Sequence, residues 1–550
     1  MTDIYEIWNR YDKSKTYMNK KNVLSKTEKN WLMYIGKQWE AVNDSEGMED
    51  LPSMNFIKPT VKYKVSSIAS TKVTAMFSDL NGANVDVVSR LNKLFDISWE
   101  KSKMQKMGKA ALRHAAVQGD SYLFWGEGGD TRKTPQLIHN TQMRLADENT
   151  NHIQDQPWLI IEERLDVQVV RERARRLGVA KKDIEQIQPD GNDENALVNK
   201  SEVKNKVTSL LYMEKDEKTG FVNVGRCTKQ VMYEKLHPIQ QSKGGEPYGE
   251  GLTMYPIVAM IWEEMPNDAR GMSEVEQLIP NQLELNKMLA RRAISAKMTA
   301  FPRLAYDDTA ISNPESLDKV GAAIKMNGGN TQAITSMISY LAPQSMSPDA
   351  EKLCDELLNQ SRTLAGASDA QLGNIDLSRV SGTAAQTIRD QQQLPLNEQQ
   401  EMYQDFIENV ALLWFELWKV YFPMGVEMDG ITVEPEEIAS VTPNVRVDVA
   451  EDTALSKMAA QQELTNLFNN GKLTFAEYVK AYPDHSTISK EILNQIVEDR
   501  QMQAQMGMPT VDEFGNPVDV QLAQGVNTGG MSGGSYQGMQ AQLAERPIVG

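Results

Sequence analysis

The chain has 550 residues, with Lys+Arg 58 against Asp+Glu 75, a formal net charge of -17 and a pI near 5.0. Such a balance argues against a protein that grips nucleic acid through a basic face, because phosphate neutralisation supplies most of that affinity. It does not exclude a protein that meets nucleic acid without holding it. At this length, a hydrophobic share of 40% and a mean hydropathy of -0.48 suit several subdomains with surplus polar surface, elongated or packed among other subunits.

Residues 1–50 carry Lys and aromatics at helical spacing and suggest a surface arm or the outer face of a larger body. A helix is expected over Asn55–Met76 behind Pro59, with Val61, Val65, Ile68, Ala69 and Val73 in register. A second is expected over Ser89–Gln118, stopped by Gly119, followed by a strand at Tyr122–Trp125 that breaks at Gly126. Residues 130–260 look β-rich, with strand-like runs at Leu137–Leu145, Leu159–Val170, Val203–Tyr212, Phe221–Val224 and Gln230–Glu234. Arg164–Leu177 suits a helix equally well. Gly244–Gly251 reads as a turn-rich loop and Ile257–Trp262 as a buried strand. The overall expectation is α+β.

The stretch from Gly271 to Tyr421 has the most order. Ser273 followed by Glu276 suggests a capping box, and the helix behind it runs without a further breaker from Asn281 to Ala300. Pro280 either kinks it or starts a second helix. Leu285, Met288 and Leu289 form an apolar stripe, while Ala290, Ala293, Ala296 and Ala300 form a small-residue face. Phe301–Pro343 holds β-like runs (Leu304–Tyr306, Ala322–Met326, Ile334–Leu341) and a Gly328-Gly329 tip, suggesting a hairpin-like projection. Ser347-Pro348 then opens a return helix carrying Leu353, Leu357 and Leu364 and stopped by Gly366. The run 367–382 is polar and interrupted by glycine. From Thr383 a long helix is expected to bend at Pro395 and reach Phe422, with an aromatic face of Tyr403, Phe406, Trp414, Trp418 and Tyr421. A hairpin at Asp429-Gly430, a strand through Val445, Val447 and Val449, and helices over Thr453–Asn469, Phe475–Ala481 and Lys490–Gln505 follow. From Gly507 the composition turns to Gly, Gln, Met and Pro without periodicity, which suggests a disordered tail.

Several of these residues, in order, carry a family likeness: Tyr34–Trp39, Asn55–Pro59, Gly119–Leu123, Gly271-Met272-Ser273, Gln282 and Asn286, and Ser381-Gly382-Thr383-Ala384. With the plan helix, β insert, helix, loop, long helix, the sequence resembles the portal proteins of tailed bacteriophages from about residue 20 to about residue 500. The resemblance implies a ring, dodecameric in that family, at one capsid vertex, through which the terminase motor drives double-stranded DNA and from which the DNA later leaves. It implies a wing (1–270 and 383–450), stem helices (271–300 and 345–366), a clip (301–344), a tunnel loop (367–382), a crown (451–506) and a tail (507–550). Stem packing would fall to Ala290, Ala293, Ala296, Ala300, Leu353, Leu357 and Leu364. The clip tip Asn327, Gly328, Gly329 and Asn330 would dock partners. Ser368, Asp369, Gln371, Asn374, Asp376, Ser378 and Arg379 would face DNA in the channel. Implied partners are further copies of the chain, the terminase large subunit, the major capsid and scaffolding proteins, and a tail adaptor. The implied location is the virion, after assembly in the host cytoplasm.

Enzyme chemistry finds little footing in the residues. Gly220–Gly225 lacks the Lys and hydroxyl of a phosphate loop, and the Gly-x-Ser-x-Gly match at Gly530–Gly534 lies in a glycine-rich tail. The five histidines, His114, His139, His152, His237 and His485, show no ligand spacing, and Cys227 and Cys354 form no CxxC. The expectations are no enzyme activity, no cofactor and no metal. Met1–Glu6 is acidic where a secretory leader is basic, and no apolar run reaches the length of a membrane span, so no membrane partner is expected. The basic run Arg171, Arg173, Arg175, Arg176, Lys181 and Lys182 reads first as a solvated helix face and second as a contact for an acidic partner or DNA. The rival to a conduit is another component of the viral DNA machinery, a motor subunit or nuclease, or a helical scaffold.

Overall fold

The computed structural model describes residues 3–42, 52–69, 72–79, 84–126, 130–190, 205–243, 246–248, 250–300, 303–306, 311–313, 315, 325, 338–341, 348–364, 396–422, 425–428, 430–450, 464–474, 477–479 and 497. The chain divides into two units, Met1–Ala450 and Glu451–Gly550. In the second, residues 464–469 are helical and Gly471 turns the chain with φ 68. Thr474 and Glu477 there exchange the bonds of a capping box, at 2.9 and 3.3 Å.

The first unit opens with α1 (Ile4–Lys20), capped by the Asp3 carboxylate, and α2 (Val23–Ile35), ended by Gly36 at φ 100. α3 (Ile57–Ala69) buries the expected Val61, Val65 and Ile68 but stops at Ala69, short of Met76. The chain there becomes strand β1 (Lys72–Asp79), which pairs with Pro443–Ala450, the last strand of the unit. That distant partner overrides the helical spacing of Val73. The helix expected over Ser89–Gln118 is two, α4 (Val85–Lys101) and α5 (Met104–Gln118), parted where Lys103 adopts φ 56. Neither Gly nor Pro announces that left-handed turn.

The β-rich middle is antiparallel throughout its described pairs. β2 (Asp120–Phe124) lies between β3 (Gln136–His139) and Ile257–Ile261 in a three-stranded sheet. β4 (Met143–Leu145), β5 (Trp158–Asp166), β6 (Lys206–Lys215), β7 (Val222–Cys227) and β8 (Met232–Pro238) form a five-stranded sheet in that order. The run Leu137–Leu145 is thus divided between two sheets at a turn around Asn140. α1 lies on the five-stranded sheet, with Ile7 and Tyr11 buried among Ile160, Leu210 and Tyr212, so it covers a face and does not stand off as an arm. α6 (Val167–Arg176) and α7 (Lys181–Glu185) follow β5 and carry the basic run. β9 (Gln241–Lys243) and β10 (Glu246–Tyr248) form a hairpin, and β11 (Ile257–Ile261) is an edge of the three-stranded sheet.

α8 (Glu274–Ala300) leads to a ladder of β12 (Arg303–Tyr306) on β13 (Ile338–Leu341), and α9 (Pro348–Leu364) packs back along α8. α10 (Asn397–Tyr421) is the centre of the main core: Trp414 and Trp418 are fully buried, with Trp414 5.1 Å from Phe95 and Trp418 6.2 Å from Phe77 between ring centroids. Truncating either indole would cost on the order of 3–5 kcal/mol. β14 (Val426–Met428) and β15 (Ile431–Val433) form the expected hairpin, with Gly430 at φ 80. α11 (Pro435–Ser440) has a Glu434–Glu437 capping box, and β16 (Pro443–Ala450) closes on β1. Residues 383–395, where the long helix was expected to begin and bend, lie outside the described residues. The described fold is α+β.

One buried pair gives the unit a pH dependence. His114 of α5 lies between Trp31 of α2 and His139 of β3, with ring centroids 5.0 and 4.9 Å away, and its Nδ1 is buried without a partner. Burial first, then the charges of His139 and Arg113, push its pKa from 6.5 down to about 3. The unfolded chain therefore binds a proton that the folded one refuses, so stability falls as pH drops below 6.5. The expected slope for this group is about 1.4 kcal/mol per pH unit. Denaturant midpoints measured down to pH 5 should show it, and His114→Leu should remove that share of the slope.

Candidate functional site

α8 is 27 residues long, about 40 Å at the usual rise, and it changes character along its length. Its buried residues run from Glu274 to Ala290; from Arg291 to Ala300 none is buried. Pro280 sits inside the helix without ending it, although its ring nitrogen supplies no hydrogen bond.

The buried half is fixed by polar bonds that converge from four parts of the chain. At its start the backbones of Gly119 and Gly271 touch: an added Cβ on either would overlap the other's carbonyl oxygen, and Gly119 also holds φ 100. Ser273 Oγ accepts from Val275 N at 3.1 Å, capping the helix, and donates to Val117 O at 2.6 Å. Ser273 Oγ thus takes its capping bond from Val275 N and not from Glu276 N, as the expected box would have it, and the Glu276 carboxylate pairs with Lys26 at 2.9 Å. Glu274, buried, meets Lys64 Nζ at 2.8 Å and Trp262 Nε1 at 3.3 Å. Two turns on, the Gln282 amide accepts from Phe56 N at 3.0 Å and donates to Met54 O at 2.7 Å. Asn286 accepts from Met54 N at 3.2 Å and donates to Gln38 Oε1. Asn55 donates to the carbonyls of Met33 and Tyr34 at 3.3 and 3.1 Å, tying α2 into the same knot.

Beneath this lies a buried ionic group. Arg270 donates to Glu148 at 3.1 Å, Asp120 at 3.2 Å, Asn140 O at 3.0 Å and Met143 O at 2.9 Å. Tyr122 donates to Asp120 at 2.6 Å. Burial pushes the Asp120 carboxyl above its ordinary pKa, against the pull of Arg270, Tyr122 and Asn140. Arg270, Glu148, Glu274 and Lys64 were not legible from sequence; only Arg270's place beside Gly271 hinted at them.

The other half of α8, with α9, forms a shaft. Ile294, Met298 and Leu353 are 42%, 47% and 43% exposed, well above what a covered helix pair leaves open. Of the residues expected to pack subunits together, Ala290 is covered by its own chain, Ala293 and Leu357 are half-buried, and Ala296, Ala300 and Leu353 are exposed. Leu364 is the last residue of α9. The tip residues Asn327, Gly328, Gly329 and Asn330, and the loop residues Ser368, Asp369, Gln371, Asn374, Asp376, Ser378 and Arg379, lie outside the described residues.

Elsewhere the basic run is engaged only in part: Arg171 bonds Ile187 O at 2.7 Å and Arg173 lies 3.6 Å from Glu163, while Arg175, Arg176, Lys181 and Lys182 are exposed. Among the described residues no group of His, Cys, Asp and Glu is gathered to hold a metal ion, and no helix is long and apolar enough to cross a membrane. The arrangement is a helix whose first half is rooted in buried polar bonds and whose second half carries no buried residue.

No protein-family model matches the sequence, and no curated protein matches it. Among solved structures, a chain of the virion of a native gene transfer agent (GTA) particle is similar at 12% identity, covering 82% of this chain and 89% of that one, with a TM-score of 0.33. A likeness of that size fixes neither fold nor activity.

The ionic group makes a sharp stability test. Arg270→Met should destabilise the unit by about 3–5 kcal/mol, because it leaves two buried carboxylates without their cation. Adding Asp120→Asn and Glu148→Gln to it should restore most of the loss in urea denaturation. Equal stability of the single and triple variants would show that the group carries no such role.

Proposed function

We propose that this chain is a portal subunit, forming a ring through which double-stranded DNA enters and leaves a capsid. The observation that carries the reading is the rooted helix pair: two long helices bracket a β ladder and leave Ile294, Met298 and Leu353 uncovered. Isolated apolar side chains on a surface are common, but these share a pair of helices with the open small residues Ala296 and Ala300. Further copies of the chain around a closed axis would cover them. The sequence motifs named above support the same reading, since Tyr34–Trp39, Asn55–Pro59, Gly119–Leu123, Gly271–Ser273, Gln282 and Asn286 all meet at the root of α8.

In this reading α8 and α9 are the stem and the ladder of β12 on β13 is the base of the clip, which docks the terminase large subunit and later the tail adaptor. Residues 367–382 line the channel, capsid and scaffolding proteins contact the outer surface, and the subunit acts as a structural element without enzymatic turnover or cofactor. The place of work is the virion.

Purified protein should form closed rings in negative-stain images and scatter light as a large oligomer. The triple variant Ile294→Glu, Met298→Glu, Leu353→Glu should be monomeric yet folded, still unfolding in one cooperative transition, since surface changes cost a monomer only about 0.5 kcal/mol each. A wild-type chain that stays a monomer near 61.7 kDa would overturn the proposal. Replacing residues 301–344 by a short Gly/Ser linker should leave rings that no longer capture terminase in a pull-down. Loss of the ring in that variant would place the segment in the assembly core instead.

A further inference from the structure

A second surface lies apart from the helix pair, at the edge of β11 that has no partner strand among the described residues. Antiparallel strands turn the N–H and C=O of alternate residues to each neighbour. β11 is registered on β2 with Ile257 opposite Phe124 and Ile261 opposite Asp120. Trp125 N donates to Pro256 O and Trp262 N to Gly119 O, both at 2.9 Å. The parity is thereby settled: Val258 and Met260 bond β2, while Ile257, Ala259 and Ile261 turn their backbone groups outward.

The start of this outer edge already has a partner that imitates a strand. The Gln154 amide accepts from Tyr255 N at 2.7 Å and donates to Tyr255 O at 3.0 Å and Ile257 O at 3.3 Å. Beyond it, no described residue bonds the outward groups of Ala259 or Ile261. These are also the two residues of β11 that are half-exposed; the other three are buried.

The edge opens into a cavity of about 250 Å³ between the 152–155 turn and α10. Met402 and Phe406 of α10 give it an apolar wall. Asp155, Glu264 and Asp405 also line it, and no lysine or arginine does. A groove with an unpaired strand edge, an apolar wall and carboxylates at its rim fits one kind of occupant: extended main chain, apolar on one side and cationic on the other.

We propose that β11 receives an extended, lysine- or arginine-bearing segment of another protein as a fourth strand. The groups outside the ladder supply the register, and the carboxylates supply the preference for cations. A second copy of this chain is poorly suited among its described residues, because its exposed basic run sits on α6 and α7, and helices offer no ladder. This proposal does not depend on ring formation, and the variants that test it leave α8 and α9 untouched.

The test uses the full chain and a fluorescein-labelled hexapeptide of alternating lysine and valine, followed by anisotropy and by amide hydrogen exchange. Saturable binding is expected, weaker at high salt, with exchange at Ala259 and Ile261 slowed at least about tenfold while peptide is bound. Ala259→Pro removes an outward donor without taking a bond from β2, and should weaken binding at least about tenfold. Asp405→Lys, an exposed change on α10, should do the same should the proline variant fail to fold. An alternating glutamate–valine peptide should not bind. Equal binding of that acidic peptide, binding indifferent to both variants, or no saturable binding would each overturn the proposal. So would protection of Ala259 and Ile261 that rises with protein concentration alone, which would assign the groove to a second copy.

Discussion

Two backbones touch at Gly119 and Gly271, and neither position has room for a side chain. That contact joins the end of α5, the start of β2 and the start of α8 at a single point. It sets where α8 begins, and the bonds from Lys64, Met54 and Phe56 then fix the helix further along. The Ser273 cap reaches the last carbonyls of α5 because Gly271 lies against Gly119, and Arg270 enters the space between β2 and the Glu148 loop for the same reason. Buried ion pairs seldom add much net stability, since desolvation offsets their attraction. What Arg270 contributes is a demand on geometry: with this many partners to satisfy at once, the two strands and the helix have one arrangement.

Such a root explains how a helix can be rigid where it begins and incomplete where it ends. Gln282 and Asn286 are fully buried amides whose partners are mostly backbone groups of residues 54 and 56, so a small shift of the helix would strand several polar atoms together. The cost of misplacement is concentrated in the first half of α8. Among the described residues the second half has no buried amide of this kind, and it packs instead along α9.

Much of this was legible in the sequence where periodicity and caps agree: α8, α9, the buried face of α10, the Asp429-Gly430 hairpin and the alternating strand at Val445–Val449 all stand where the pattern put them. The failures share a cause. Val73 fits a helical stripe, but its segment is claimed by β16, far along the chain. Lys103 breaks a helix through a left-handed turn that carries no glycine. Leu137–Leu145 reads as one strand because apolar content alone does not reveal a switch between sheets. The motif residues Gly119, Gly271, Ser273, Gln282 and Asn286 stood out one by one, yet that they touch is a property of the fold. Charged residues were the hardest: nothing in the local composition distinguishes buried Arg270, Glu274 or Lys64 from the many solvated charges around them.

The pairing of β1 with β16 has a consequence for how the molecule is made. Lys72 faces Ala450, a separation of 378 positions (450 − 72), and the aromatic face of α10 packs beneath the same ladder. At about 5–20 residues per second, a ribosome needs roughly 20–75 s to deliver the second strand after the first. Throughout that interval β1 is an unpaired edge, and α3 and α4 lack the helix that completes their core. A chain cut short of Pro443 would stay in that condition, with residues 72–79 open to proteases. Closure between the first and last described strands of the unit therefore acts as a length check on it: this ladder forms only once Pro443–Ala450 has been made.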